Sequence, residues 1–186
     1  MAKVLVFLLF CAFLAADEGK LFVSKSLSEV RTTHTVRQAY EESCGAAALA
    51  TLLNLYGAKK SEKDILLLAS KTDMLSFEEL GRIARELGYE AAGYQLSKEV
   101  FEKSRIPVLA LVVREAEFPH FVVAVNHSGD FVEVFDPSFG DYISSKRDFY
   151  AMWEFASGGF ALIVAPKGYV RKEFEFKAPA GVFFGR

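Results

Sequence analysis

Several features that would assign this chain to other classes of protein are missing from its sequence. The formal net charge is −2 and no basic stripe is present, which argues against a nucleic-acid partner. The 186 residues contain no internal repeat, no low-complexity stretch, no block of like charges and no linker that would divide them. We therefore expect one domain of ordinary size, large enough to bury a core.

Long hydrophobic runs are also lacking, apart from one short run near the N-terminus. Residues 4–15 are uninterruptedly apolar, Lys3 gives them a positive start, and Ala16 leads into a polar segment. This is the pattern of a secretory signal, and the run is too short to span a bilayer comfortably. The sequence predicts a signal peptide at residues 1–16 and a periplasmic or secreted protein. Contact with a membrane is expected only through an uncleaved signal segment.

Cysteine is scarce, and its scarcity limits the chemistry. Of the two cysteines, Cys11 lies in the predicted signal, so the mature chain keeps Cys44 alone and cannot form an internal disulfide. A lone thiol is either a small buried apolar residue or a functional group. The three histidines lack the spacing of metal ligands. We therefore expect no metal and no other cofactor.

Helix signals dominate the first half of the remaining chain, and β-rich runs dominate the second. Caps and apolar periodicity predict helices at 44–56, 61–70, 76–87, 97–104 and 145–156, and strands at 107–113, 120–126, 131–136 and 159–165, with a further short strand at 20–24. Helices followed by antiparallel strands indicate an α+β domain. This single domain is predicted for residues 17–186, with its core at about 34–165 and a Phe-rich tail at 167–186.

Cys44 stands at the first turn of a predicted helix, where free backbone N–H groups and the helix dipole favour a thiolate. A thiolate nucleophile needs a histidine, and His120 opens a predicted strand. A hairpin centred on Ser128 places His120 directly opposite Asp136, on one face of the sheet. The alternative is a chance pair at a sheet edge. His34 and His127 are interpreted as exposed surface residues.

Two further features accompany this constellation. Asp136 begins an Asp-Pro turn that is closed by Gly140, which would fix the carboxylate at the end of its strand. Gln38 precedes Cys44 by six residues, and its amide could donate to an oxyanion together with the backbone N–H of Cys44. Alone, the glutamine is a weak signal, because most Gln side chains are solvated.

The motifs around these residues resemble those of the double-glycine leader peptidases. These are the papain-like cysteine peptidase domains of bacteriocin-exporting ABC transporters, which also occur as stand-alone exported proteins. The resemblance covers about residues 34–165 and is carried by VRQ at 36–38, SCGAAAL at 43–49, LYG at 55–57, LGRIA at 80–84, LG at 87–88, IPV at 106–108, PHFVV at 119–123 and DPSFG at 136–140.

The resemblance implies a papain-like fold with an N-terminal helical half packed on an antiparallel sheet. Residue by residue, it implies Cys44 as nucleophile, His120 as general base, Asp136 as orienting carboxylate and Gln38 as oxyanion donor. The implied reaction is cleavage of a peptide or protein, after small residues such as Gly-Gly, through an acyl-enzyme that water hydrolyses. Transporter domains of this kind often carry an acidic residue just before the cysteine, where this chain has Ser43.

Two alternatives stay open at the level of sequence. The chain could be a catalytically silent relative that binds a peptide or an assembly partner in the same cleft. It could also perform amide transfer or deamidation, because the same three residues make the acyl-enzyme and the acceptor decides the product. The predicted export signal favours an exported protein or leader as the substrate.

Overall fold

The computed structural model describes residue 26 and residues 32–113, 119–153 and 158–169. The predicted signal at 1–16, the strand predicted at 20–24 and the tail from residue 170 onward lie outside the described residues, as does the end of the helix predicted at 145–156. Within the described ranges, no helix combines the length and apolar character that a bilayer crossing requires.

Three helices follow the lead-in segment and confirm the sequence-based predictions to within one residue at each end. After a short 3-10 helix at Glu41–Ser43 come α1 (Cys44–Leu55), α2 (Glu62–Ala69) and α3 (Phe77–Glu86). Ser61 and Ser76 cap α2 and α3 by accepting the N–H groups of Asp64 and Glu79. The capping signals in the sequence therefore place these helices correctly.

A six-stranded sheet forms the second half of the domain. Its strands are β1 (Tyr89–Leu96), β2 (Val108–Val113), β3 (Pro119–Asn126), β4 (Phe131–Asp136), β5 (Gly140–Ser145) and β6 (Gly159–Pro166). The strand order is β1-β6-β2-β3-β4-β5, and all neighbours pair antiparallel. Two more helices, α4 (Lys98–Lys103) and α5 (Lys146–Trp153), connect the strands.

The two edge strands were not predicted. β1 contains Ala91, Ala92 and Gly93, and β5 contains Ser144 and Ser145, so neither carries the β-branched and aromatic run that marks a strand. β1 becomes a strand because it pairs along its whole length with β6, and β5 because it pairs with β4. Tertiary pairing therefore overrides a weak local preference at both edges.

The predicted register of the β3–β4 hairpin is wrong by two residues. Ala124 pairs with Val134 rather than with Val132, so Asp136 is not the direct cross-strand partner of His120. The reason lies in the turn, which is centred on Gly129 with φ of +88° and leaves a three-residue loop. A shift of two residues keeps every side chain on the same face, so His120 and Asp136 still lie close together.

The sheet separates two apolar clusters. Helices α1–α3 pack on one face against side chains such as Phe121, Val123 and Phe135. Helices α4 and α5 cover the other face, where Phe101 stacks on Phe149 with ring centroids 5.6 Å apart and the rings pack over Val122 and Val134. The α+β prediction is confirmed, with α1 as the helix that lies against the central strand β3.

Candidate active site

Cys44 is the first residue of α1, and only 2% of its surface is exposed. The next residue, Gly45, lets the start of the helix approach the sheet. A Cβ added to Gly45 would lie 3.1 Å from Phe121 Cδ2 and 3.3 Å from Leu80 Cδ1. Because Phe121 follows His120 on β3, this close approach places the start of α1 beside the strand that carries His120.

His120 lies between a carboxylate and the thiol. Its Nε2 donates to Asp136 Oδ1 at 2.9 Å, and the same imidazole interacts with the side chain of Cys44. Burial lowers the pKa of His120, but the hydrogen bonds with Asp136 and Cys44, together with the negative charge of each, outweigh burial and raise that pKa to about 9. The imidazole is therefore protonated at neutral pH.

The side chain of Asp136 is fully buried, and the turn that follows β4 fixes it. Besides the imidazole, Oδ1 accepts the backbone N–H of Ser138 at 2.8 Å and that of Phe139 at 3.2 Å. These bonds stabilise the carboxylate in its charged form and set its direction. The Asp-Pro turn therefore holds the acid that orients His120.

Gln38 is tied to the same turn. Its backbone N–H donates to the carbonyl of Pro137 at 3.2 Å, and its Oε1 accepts the hydroxyl of Ser138 at 2.9 Å. Its Nε2 donates to the carbonyls of Tyr40 at 2.9 Å and Glu41 at 3.1 Å. Both amide hydrogens thus have acceptors in this structure, and an oxyanion bound here would share one of them.

The other two histidines pair with carboxylates away from Cys44. His34 is exposed, as predicted, and its Nδ1 lies 3.2 Å from Asp141 Oδ2. His127 is only half-buried rather than exposed, and its Nε2 lies 3.0 Å from Oε2 of buried Glu133. The hairpin turn had suggested a solvated side chain, but Glu133 two residues into β4 draws His127 onto the sheet.

Sequence reasoning missed two residues near this centre. Ser138 lies in the DPSFG motif at 136–140, but its hydrogen bond to Gln38 needs the tertiary contact between the lead-in segment and the turn. The sequence marks Glu62 only as an acidic residue at the start of a predicted helix, and such a residue usually does no more than complement the helix dipole. In the fold its side chain is buried against the segment that precedes Cys44.

The arrangement of helix, sheet, cysteine and histidine–aspartate pair is that of the papain-like peptidases. The pattern of the peptidase C39 family matches residues 32–168. The chain therefore belongs to the peptidase C39 family, as the motif resemblance indicated.

Relatives of known description agree with this assignment. The chain is 35% identical over 158 residues to the Pseudomonas aeruginosa protein "Probable functional amyloid protease FapD", and the match covers 79% of this chain and 67% of that protein. A second FapD, from Pseudomonas fluorescens, is 31% identical over 154 residues, and 66% of its length is matched. This chain therefore spans about two thirds of the length of these curated relatives.

Solved structures of transporter peptidase domains share the fold. The peptidase domain of Streptococcus ComA, a bifunctional ABC transporter involved in quorum sensing, matches with a TM-score of 0.64 at 22% identity, covering 72% of this chain and 98% of that chain. A double-glycine motif protease from an AMS/PCAT transporter, solved with its leader peptide, matches with a TM-score of 0.59 at 25% identity, covering 71% and 90%.

Proposed function

We propose that the chain is an exported cysteine peptidase in which Cys44 is the nucleophile, His120 the general base and acid, Asp136 the orienting carboxylate and Gln38 an oxyanion donor. The observation that carries this proposal is the position of His120, whose imidazole is hydrogen-bonded to buried Asp136 and also interacts with Cys44.

In the proposed reaction His120, whose raised pKa of about 9 favours the imidazolium, already holds a proton, and Cys44 reacts as the thiolate. The thiolate attacks the peptide carbonyl, and the backbone N–H of Cys44 and the Gln38 amide stabilise the oxyanion. His120 then gives its proton to the departing amine, which leaves a thioester on Cys44. Water, deprotonated by the now neutral His120, hydrolyses that thioester and restores the pair of thiolate and imidazolium.

The proposed substrate is an exported protein or leader that is cut after small residues such as Gly-Gly. The buried position of Cys44 favours a narrow approach, which small side chains on either side of the scissile bond would fit. The double-glycine motif protease at 25% identity and the FapD relatives support a peptide substrate of this kind. Export rests on the predicted signal at residues 1–16, followed by a single domain at 17–186.

The test uses synthetic peptides that contain Gly-Gly, with products identified by mass spectrometry. We expect wild type to cleave them, and Cys44→Ala and His120→Gln to lose roughly a thousandfold in kcat/KM. His127→Gln is the matched control, because His127 also pairs with a buried carboxylate at 3.0 Å but lies away from Cys44. It should keep the activity of wild type.

Three results would contradict the proposal. Cleavage that survives in Cys44→Ala would place the reaction elsewhere. Binding of the peptides by wild type without cleavage would favour a silent binding relative. A product whose new carbonyl carries an added amine, rather than a free carboxylate, would favour amide transfer.

A further inference from the structure

Glu62 is not among the proposed catalytic residues, yet its carboxylate bonds both ends of the turn that joins two of them. It is the first residue of α2 and only 8% exposed. Its Oε1 accepts the backbone N–H of Ala39 at 2.9 Å and also the hydroxyl of Ser43. Ala39 follows Gln38, and Ser43 precedes Cys44. One carboxylate oxygen therefore links the neighbours of the proposed oxyanion donor and nucleophile.

The start of α2 does not itself require this carboxylate. Ser61 and Asp64 already cap the helix, since Asp64 Oδ2 accepts both the N–H and the hydroxyl of Ser61 at 2.8 Å. Asp64 is only half-buried, whereas Glu62 is buried. A buried carboxylate is unfavourable unless hydrogen bonds satisfy it, and Glu62 receives them from the turn before Cys44.

A second set of hydrogen bonds in the turn before Cys44 depends on Ser43. Ser43 Oγ accepts the N–H of Tyr40 at 3.1 Å and lies 2.7 Å from the Tyr40 carbonyl, which also accepts from Gln38 Nε2. The hydroxyl hydrogen of Ser43 can be donated to only one acceptor at a time. When Glu62 takes it, the Tyr40 carbonyl is left to the Gln38 amide.

We propose that Glu62 is a positioning residue that fixes the spacing and direction of Cys44 and Gln38. The proposal rests on the proposed function, but Glu62 touches none of the reacting atoms and acts through Ala39 and Ser43. Ser43 stands directly before Cys44, and the carboxylate that accepts its hydroxyl reaches the turn from α2.

The test compares Glu62→Ala, Glu62→Gln and the control Asp64→Ala in the full chain. Asp64→Ala removes a carboxylate from the same helix turn without touching residues 39–43. Two quantities are measured in each variant: the rate of Cys44 alkylation by iodoacetamide, and kcat and KM on a cleaved Gly-Gly peptide. The midpoint of urea unfolding accompanies both, so that loss of fold is separated from loss of position.

We expect Glu62→Ala to lower kcat and the alkylation rate by about tenfold, with KM changed little, because the reacting groups lose their alignment. Glu62→Gln should stay within about threefold of wild type, since its amide oxygen can still accept both bonds. Asp64→Ala should lower stability but leave both rates unchanged. Equal losses in Glu62→Ala and Asp64→Ala, or unchanged rates in Glu62→Ala, would overturn the positioning role.

Three further outcomes keep the test decisive. If Glu62→Gln loses as much as Glu62→Ala, the charge rather than the hydrogen-bond geometry matters, and the proposal is wrong. If Glu62→Ala does not fold, Ser43→Ala replaces it and must lower both rates several-fold. If wild type cleaves no peptide, the proposed peptidase function fails, while the alkylation rates still decide whether Glu62 positions Cys44.

Discussion

At the scale of single residues, the chemistry of the site depends on charges that act over short distances in a partly buried place. The side chain of His120 is only 18% exposed, and burial alone would favour the neutral imidazole. The carboxylate of Asp136, itself completely buried, and the sulfur of Cys44 reverse that preference. The balance makes His120 a group that holds its proton through the neutral range.

This balance predicts the alkaline limit of activity. Because the pKa of His120 is raised to about 9, the imidazolium persists below that pH and loses its proton above it. We expect kcat/KM to fall as the pH rises through about 9. Asp136→Asn removes the negative charge that raises the pKa of His120. The pH at which kcat/KM falls, the alkaline limb of the profile, should therefore move toward the ordinary histidine pKa of about 6.5, and activity at pH 8 should be at least about tenfold lower.

The control for this profile is Asp141→Asn. Asp141 is also a buried acid bonded to a histidine, His34, but it is not in contact with Cys44. Its replacement should leave the alkaline limb near pH 9. If the limb shifted equally in both variants, it would report general unfolding rather than the titration of His120.

Glu133 is a buried carboxyl group whose own pKa is raised, in contrast to Asp136, which raises the pKa of a histidine. Burial raises its pKa, the bond to His127 opposes that rise, and its Oε1 has no hydrogen-bond partner among the described residues. The folded state therefore binds a proton more readily than the unfolded state, so stability falls as the pH rises through the raised pKa. Glu133→Gln should weaken this fall and stabilise the protein at pH 8 by about 1 kcal/mol.

Urea unfolding at pH 5 and pH 8 measures this effect. Exposed Glu90 on the edge strand gives the matched control, because Glu90→Gln changes the same group where water solvates it. We expect no change in the pH dependence for that variant. An unfolding free energy of Glu133→Gln below that of wild type at pH 8 would refute the prediction.

At the scale of elements, the contact between α1 and β3 sets the distance between Cys44 and His120. Gly45 makes this contact possible because no side chain stands between the helix start and Phe121. Phe121 in turn packs edge-on against Phe77 of α3, with ring centroids 5.0 Å apart, so it has little room to retreat. The proposed nucleophile and its proposed base are therefore brought together by packing rather than by a loop.

Gly45→Ala should separate them. The added Cβ would meet Phe121 at 3.1 Å, which is tighter than ordinary contact, so the helix start must shift by a few tenths of an ångström. We expect kcat to fall about tenfold with little change in KM. Gly81→Ala is the control, since it also adds a methyl within a helix but meets mainly the flexible end of Arg85. Equal activity of the two variants would contradict this account.

At the scale of the whole molecule, helices on both faces cover the central part of the sheet. The face opposite Cys44 is sealed by an aromatic cluster in which Trp153 of α5 is 1% exposed and donates its indole N–H to the carbonyl of Phe160 at 3.0 Å. This bond ties α5 to β6, which lies next to the centre of the sheet. The site therefore rests on a sheet that is packed from behind.

Gly159→Ala should disturb this packing without touching the site. Its Cβ would lie 2.2 Å from Trp153 Cε2, so the indole must move and its hydrogen bond must weaken. We expect a loss of about 1–3 kcal/mol in the free energy of unfolding, with kcat per folded molecule unchanged. Gly93→Ala on β1, where no neighbouring atom lies within 4 Å, should cost far less. Thermal unfolding with parallel activity measurements distinguishes the two.

Much of this architecture could be predicted because its signals are local. The caps Ser61 and Ser76 mark their helices through bonds to residues three positions away, and the apolar runs of β2, β3, β4 and β6 fit a buried sheet. Edge strands β1 and β5 could not be predicted, because their small and polar residues become strands only beside β6 and β4. The hairpin register was missed because the choice between two turn lengths around Gly129 depends on cross-strand packing.

The sequence by itself determined the family, the order of helices and strands, and the candidate residues Cys44, His120, Asp136 and Gln38, because each stands in a short motif or beside a local start signal. Only the tertiary structure decided which atoms meet. It brought Nε2 of His120 to Asp136 despite the shifted register, tied Gln38 to Ser138 and carried Glu62 to the turn before Cys44. Those contacts join residues distant in the chain, and packing of α1 and α2 against the rest of the fold fixes them.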